Sequence, residues 1–181
     1  VEELGSVYES LLDLHPLIET INGTFHFRFV SGMERKTTGS YYTRSDLVQE
    51  IIKSALEPVI QERIKSDRKS SSISGNTGDG LLRLKVCDPA CGSGSFLVGA
   101  YQYLLNYHLD YWTNGKNLKQ ALKEGKIYQV SENDYKLTTE EKQNILINNM
   151  YGVDIDSQAV EVTKLSLYLK LLEDEGKEAK G

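Results

Sequence analysis

Val86-Cys87-Asp88-Pro89-Ala90-Cys91-Gly92-Ser93-Gly94-Ser95-Phe96 decides the fold, because its chemistry changes twice within one short run. Residues 81–87 are mostly apolar and read as a strand, residues 88–94 as a tight glycine loop, and residues 95 to about 110 as a helix. Leu97, Ala100, Tyr101, Leu104 and Leu105 would form the inward face of that helix. Glycines in such a loop let the backbone approach a ligand, and the helix start offers unpaired N–H groups. A dinucleotide fold uses the same device, but it wants a third glycine where Leu97 stands and lacks the leading acid. A lone Gly-x-Gly is equally a plain turn. The acid, the glycines and the helix start in one run point instead to a ligand loop.

A second unit of the same kind follows. Residues 150–155 read as a strand and residues 157 to about 172 as a helix, with Leu165, Tyr168, Leu169 and Leu172 on one face. Two strand-to-helix units in succession predict an α/β fold with a mainly parallel sheet. Asp154 closes the second strand, where a carboxylate can accept two hydrogen bonds from a ribose diol. Asp156 reads as the N-cap of the next helix. Asp154 lies well beyond the about 20 residues that separate loop and acid in a compact unit, so an insertion must intervene. Residues 113–137 are polar and read as irregular, with a short hairpin around Tyr128, and residues 139–148 read as a helix.

Towards the start, Leu4, Val7, Tyr8, Leu11 and Leu12 share one helical face, and Pro16 is expected to close that helix. Residues 24–30 alternate Phe25, Phe27 and Phe29 with His26 and Arg28, as a half-buried strand would. Thr43 or Ser45 can cap a helix carrying Leu47, Val48, Ile51, Ile52, Ala55 and Leu56, which Pro58 should kink or restart. Residues 66–80 are too rich in Ser, Gly and Asp to bury much apolar surface and read as a flexible linker. The organisation expected is an N-terminal helix and strand segment over residues 1–40, and a ligand-binding part over 41–181 containing the loop 66–80 and the insertion 113–137.

The chain of 181 residues has room for one packed domain, and 39% hydrophobic with 26% charged residues is ordinary globular composition. Its formal net charge is -5 and its lysines are scattered, so it lacks the basic stripe of a protein that grips DNA unaided. Cys87 and Cys91 flank one short turn, and His15, His26 and His108 are far apart, which suggests neither a disulfide framework nor a metal site. No run is long and apolar enough for a membrane span. A cytoplasmic location is the expectation.

Asp88 to Phe96 resembles the S-adenosylmethionine loop of amino-group DNA methyltransferases, the adenine-specific ones above all. The resemblance implies a partial Rossmann-like class I methyltransferase sheet with an N-terminal helical segment. It implies that the backbone of Pro89, Ala90, Cys91, Gly92, Gly94, Ser95 and Phe96 wraps the methionine and ribose, and that Asp88 holds the methionine ammonium. Asp154 matches the family's ribose acid, and Ile155 would lie against the adenine ring, although a strand isoleucine is usually core. Gly39-Ser40-Tyr41-Tyr42-Thr43 resembles the segment that closes over the methionine carboxylate in permuted members, implicating Tyr42 and Thr43. Arg44 stands where the family usually has Pro. The opening residues 4–12 resemble those of large fused restriction-modification and phage-exclusion methylases. The family's catalytic signature, an Asn or Asp followed by Pro-Pro and an aromatic, is absent: the prolines are Pro16, Pro58 and Pro89. The chain is therefore expected to be the cofactor-binding portion of an N6-adenine DNA methyltransferase, inactive by itself, reaching DNA through regions outside this sequence. Methylation of RNA or protein, and a non-catalytic docking domain of the same fold, are the alternatives; an NAD enzyme is the weakest.

Overall fold

The computed structural model describes residues 2–11, 14–31, 43–70 and 83–173. The chain begins with helix α1 (Glu2–Leu11) and a hairpin of β1 (Leu14–Ile21) and β2 (Thr24–Ser31). Asn22 and Gly23 have φ values of 52° and 79°, the positive pair that a tight Asn-Gly hairpin turn requires. Pro16 does not close α1. It sits inside β1 opposite Phe29, tolerated because each strand of a two-stranded ladder has a free edge where a missing N–H costs nothing. Ile18 faces Phe27 and Thr20 faces Phe25 across the ladder, so the aromatics do share one face. That face is not half-buried as expected: Phe25, Phe27 and Phe29 are 78%, 62% and 59% exposed.

Helix α2 (Ser45–Ser70) runs unbroken through Pro58. Val48 and Ile52 before the proline and Ile60 after it are all buried, and burial on both sides outweighs the about 3 kcal/mol an interior proline costs. The helix also reaches Ser70, into the stretch expected to be linker; residues 71–82 lie outside the described residues. The first strand of the parallel pair is shorter than expected, β3 (Val86–Asp88), and helix α3 (Ser95–Thr113) follows the glycine loop. The insertion holds the hairpin expected around Tyr128 and is otherwise more ordered than expected. It contains helix α4 (Leu118–Lys123) and a hairpin of β4 (Ile127–Ser131) and β5 (Asp134–Leu137), before helix α5 (Thr139–Asn149), strand β6 (Met150–Gly152) and helix α6 (Ser157–Leu172). Among the described residues these strands form three two-stranded sheets, β1 with β2, β4 with β5, and β3 parallel to β6, a mixed α/β arrangement.

The core is built around α3. Tyr101, Leu104, Leu105 and Trp112 pack with Ile60 of α2, Ala121 of α4, Ile127 and Leu137 of the second hairpin, Ile145 of α5 and Leu171 of α6. The insertion thus completes the main core, because its apolar residues have nowhere else to leave water. Fully buried Asn149 donates through Nδ2 to the Leu84 carbonyl at 2.6 Å. This pins the approach to β3 against the end of α5, which leads directly into β6.

One group in this core makes stability depend on pH. His108 is 1% exposed, and neither ring nitrogen has a hydrogen-bond partner among the described residues. Glu141 lies 3.9 Å away, but it is bonded to Lys126 Nζ at 2.8 Å and receives Trp112 Nε1–H at 3.3 Å. Burial lowers the His108 pKa to about 4; the Glu141 charge opposes that shift and the Lys126 charge adds to it. The imidazole is therefore neutral in the folded chain at neutral pH, while the unfolded chain takes up the proton near pH 6.5. Stability is full above pH 6.5 and is lost as pH falls towards 4, by up to about 3 kcal/mol. Urea unfolding at stepped pH should reveal this slope, and His108→Leu should flatten it; equal slopes in both proteins would refute the assignment.

Candidate functional site

Both loops named by the sequence leave the same end of the parallel pair. Val86, Cys87 and Asp88 pair with Met150, Tyr151 and Gly152. The ladder then continues past the strands: Val153 N–H donates to the Asp88 carbonyl at 2.9 Å, and Cys91 N–H to the Val153 carbonyl at 3.0 Å. Glycine loop and acidic loop are thereby joined backbone to backbone.

The Asp154 carboxylate closes the junction. Its Oδ2 accepts from Gly92 N–H at 2.7 Å and its Oδ1 from Asp156 N–H at 2.9 Å. Each carboxylate oxygen carries two lone pairs, so a half-buried carboxylate fixed this way still has acceptor capacity for two hydroxyl donors. Asp88 caps its own loop, accepting from Ala90 N–H at 3.1 Å through Oδ1, which leaves Oδ2 for other partners. Gly92 and Gly94 both have left-handed backbones, with φ of 52° and 89°, as a loop that doubles back within four residues requires. A Cβ on Gly92 would meet no atom within 4 Å, so open space lies beside the loop there. Gly94 is also the N-cap of α3 and offers no side chain to it, whereas Thr138 caps α5 and Asp156 caps α6. The start of α3 therefore presents amides without a side-chain cap, favourable to a negative group.

The other residues singled out by sequence are placed differently from one another. Ile155 is 96% exposed, so it is not core. Pro89 and Ala90 lie on the exposed turn and Ser95 opens α3 half-buried. Phe96 packs with Val48, Ile52 and Ala100, and Cys91 is buried, so both side chains serve the interior while their backbones belong to the loop. Thr43 stands half-buried just before α2. The packing of Val48 against Ala100 and Phe96 brings that helix start to the end of α3 that carries the glycine loop. Tyr42 lies outside the described residues.

Sequence reasoning missed the groups that brace these loops. Thr163 of α6 donates its hydroxyl to the Gly92 carbonyl at 2.8 Å. Ser93, 4% exposed, donates to Glu9 Oε1 at 2.7 Å, and Tyr8 donates to Asp156 Oδ2 at 2.9 Å. Helical spacing could mark Tyr8 as inward-facing, but nothing in the spacing marks Glu9, which lies off the apolar stripe. The site is electrically negative. Glu9, Asp88, Asp154 and Asp156 gather around the glycine loop, and none forms an ion pair among the described residues. Burial, the hydrogen bond to Asp156, and the charges of Asp156, Asp154 and Glu9 push the Tyr8 pKa up to about 12. Burial and the charges of Asp154 and Asp88 raise the Cys91 thiol as well. Among the described residues no cluster of His, Cys, Asp and Glu is arranged to hold a metal, and no helix is long and apolar enough to cross a membrane.

Over 196 residues the chain is 31% identical to RM.MjaORFECS2P of Methanocaldococcus jannaschii, provisionally named a type II restriction enzyme and methyltransferase; the match covers 94% of this chain and 14% of that protein. Over 101 residues it is 38% identical to the type II restriction enzyme and methyltransferase RM.Eco57I of Escherichia coli, covering 56% of this chain and 9% of that protein. The chain thus spans a small part of these relatives. No solved structure matches it significantly. Residues 64–177, which include both loops and everything between them, match the family model of the MmeI DNA-methyltransferase domain, and the chain belongs to that family.

Proposed function

We propose that this chain holds S-adenosylmethionine at the junction of the glycine and acidic loops, as the cofactor-binding part of a restriction-modification DNA methyltransferase acting on adenine N6. The observation that carries the cofactor is the set of carboxylates around a glycine loop that form no ion pair among the described residues. S-adenosylmethionine brings a positive sulfur and an ammonium, which such a field attracts; the pyrophosphate of a dinucleotide would be repelled by it. The residues present fit the group. Asp154 is oriented by two backbone donors and keeps lone pairs for the ribose, Asp88 keeps Oδ2 for the ammonium, and exposed Ile155 offers an apolar surface for a base. The uncapped start of α3, with Thr43 at the same end, suits the methionine carboxylate. Bound there, the cofactor supplies a methyl group on a positively charged sulfur that leaves as a neutral thioether. The chain's own share of the reaction is to bind and orient, which is most of what a transfer between held partners needs.

The parallel pair is read as part of a Rossmann-like class I methyltransferase sheet. DNA, the target adenine and the catalytic signature belong in this reading to regions outside the chain, and the reading takes the enzyme to be cytoplasmic, where the DNA it would methylate lies. Adenine, rather than cytosine, rests on the likeness of residues 88–96 to the adenine-specific loop. Calorimetry with S-adenosylmethionine and with NAD tests the cofactor: binding of the first and none of the second is expected, and the reverse would overturn the reading. For the reaction, DNA from cells expressing the full-length protein should contain N6-methyladenine by mass spectrometry. Methylated cytosine alone, or methylated RNA or protein without methylated DNA, would refute the adenine assignment.

A further inference from the structure

We propose that α1 is a positioning strap for the cofactor loops, with Glu9 setting the glycine loop and Tyr8 the acidic loop; the inference rests on the cofactor reading above. Two consecutive residues of one helix reach loops far apart in sequence. Ser93 Oγ–H donates to Glu9 Oε1 at 2.7 Å, and Tyr8 Oη–H donates to Asp156 Oδ2 at 2.9 Å. Each contact lies one step from a group that would touch the ligand: Ser93 stands between Gly92 and Gly94, and Asp156 donates its N–H to Asp154 Oδ1. The helix sits so close that a Cβ on Gly5 would lie 2.8 Å from Ser93 Oγ.

Packing alone does not explain Glu9. The side chain is 5% exposed, and Oε2 is buried with no hydrogen-bond partner among the described residues. Burying a carboxylate with one oxygen unpaired opposes stability, and an apolar residue would serve a purely structural helix better. The bond to Ser93 is what the carboxylate provides. It tethers the middle of a loop whose two flanking residues are left-handed glycines and therefore conformationally permissive. Tyr8 does the same for Asp156, whose other oxygen is already committed to Gln158 N–H at the start of α6. Together they fix the spacing between the ribose acid and the loop amides before ligand arrives, which lowers the ordering cost of binding.

The test uses the full-length chain with Glu9→Ala, Glu9→Gln, Ser93→Ala and Tyr8→Phe. It reads S-adenosylmethionine affinity by calorimetry and hydrogen exchange at the Gly92 and Gly94 amides without ligand. Glu9→Ala and Ser93→Ala should each weaken binding about 5- to 10-fold and speed exchange, with the double variant no worse than either alone. Glu9→Gln keeps an oxygen acceptor for Ser93 and should return to within about twofold of the parent. Tyr8→Phe, at a partly exposed position, should weaken binding about threefold or more. If Glu9→Ala and Tyr8→Phe both bind within twofold of the parent while Asp154→Ala does not, the strap is refuted and the cofactor site stands. A Glu9→Gln variant as weak as Glu9→Ala would likewise overturn the tether. A parent protein that does not bind the cofactor would overturn both the reading and the strap.

Discussion

Gly94→Ala should cost roughly 2 to 5 kcal/mol of folding stability and abolish cofactor binding. The first contribution is backbone strain: at φ 89° an L side chain clashes with its own peptide, worth about 1 to 2 kcal/mol. The second is overpacking. The new Cβ would stand 2.7 Å from Thr163 Oγ1, 2.8 Å from Cγ2 and 3.0 Å from Cβ, and forcing a methyl into a filled site costs about 1 to 3 kcal/mol. Thr163 cannot yield freely, because its hydroxyl holds the Gly92 carbonyl and the residue is 4% exposed. Loop and helix α6 must separate, taking Asp154 away from the Gly92 amide. Gly92→Ala is the informative contrast. Its Cβ meets no atom within 4 Å, so only the strain remains, about 1 kcal/mol, but its methyl projects beside the ligand loop. Urea unfolding and calorimetry on both variants should show Gly94→Ala losing stability and binding together, and Gly92→Ala losing mainly binding. A Gly94→Ala protein within 1 kcal/mol of the parent would refute the close packing of loop on helix.

The short parallel pair and the two loops that follow its strands were legible in the sequence for a local reason, whereas the mainly parallel sheet expected around them is not what forms, since the other two described sheets are antiparallel. Asp88, the glycines and the helix start lie within a few residues, as do Asp154 and Asp156, so composition and periodicity report them directly. The hairpin turn carries a local signal too, since Asn22-Gly23 favours it strongly, although alternation marked a strand only in the residues after it. What sequence could not supply was tertiary choice. Pro58 stays helical because Val48, Ile52 and Ile60 are buried on both sides of it, and local propensity carries no record of that. The face of Leu165, Tyr168, Leu169 and Leu172 follows helical spacing, yet all four are 42% exposed or more. The residues of α6 that point inward are Ala159, Thr163, Ser166 and Leu171, and two of them are polar. Hydrophobicity read along α6 therefore named the wrong face, since Thr163 is buried for what its hydroxyl does to the glycine loop. The bonds from Tyr8 and Glu9 span 148 and 84 residues, beyond the reach of any window of local pattern.

Asp154→Ala should weaken S-adenosylmethionine binding about 10- to 100-fold, the equivalent of the roughly 1.5 to 3 kcal/mol of a charge-assisted hydrogen bond. Loss of affinity by itself would not identify the ribose as the partner, because the same carboxylate holds Gly92 N–H and Asp156 N–H. Removing it also releases the glycine loop. The two contributions separate if the ligand is changed as well as the protein. An analogue lacking the ribose 2′-hydroxyl should bind the parent protein about tenfold more weakly than the full cofactor, since it forfeits such a bond. Against Asp154→Ala, where the acceptor is already gone, the analogue and the full cofactor should bind alike. Asp154→Asn adds a geometric check: whichever way the amide turns, its NH2 group faces one of the two backbone donors, so this near-isosteric change should disturb the loop nearly as much as alanine does. If the missing hydroxyl weakened binding equally in the parent and in Asp154→Ala, the carboxylate would be a brace for Gly92 and Asp156 alone, and the diol would have to be held elsewhere.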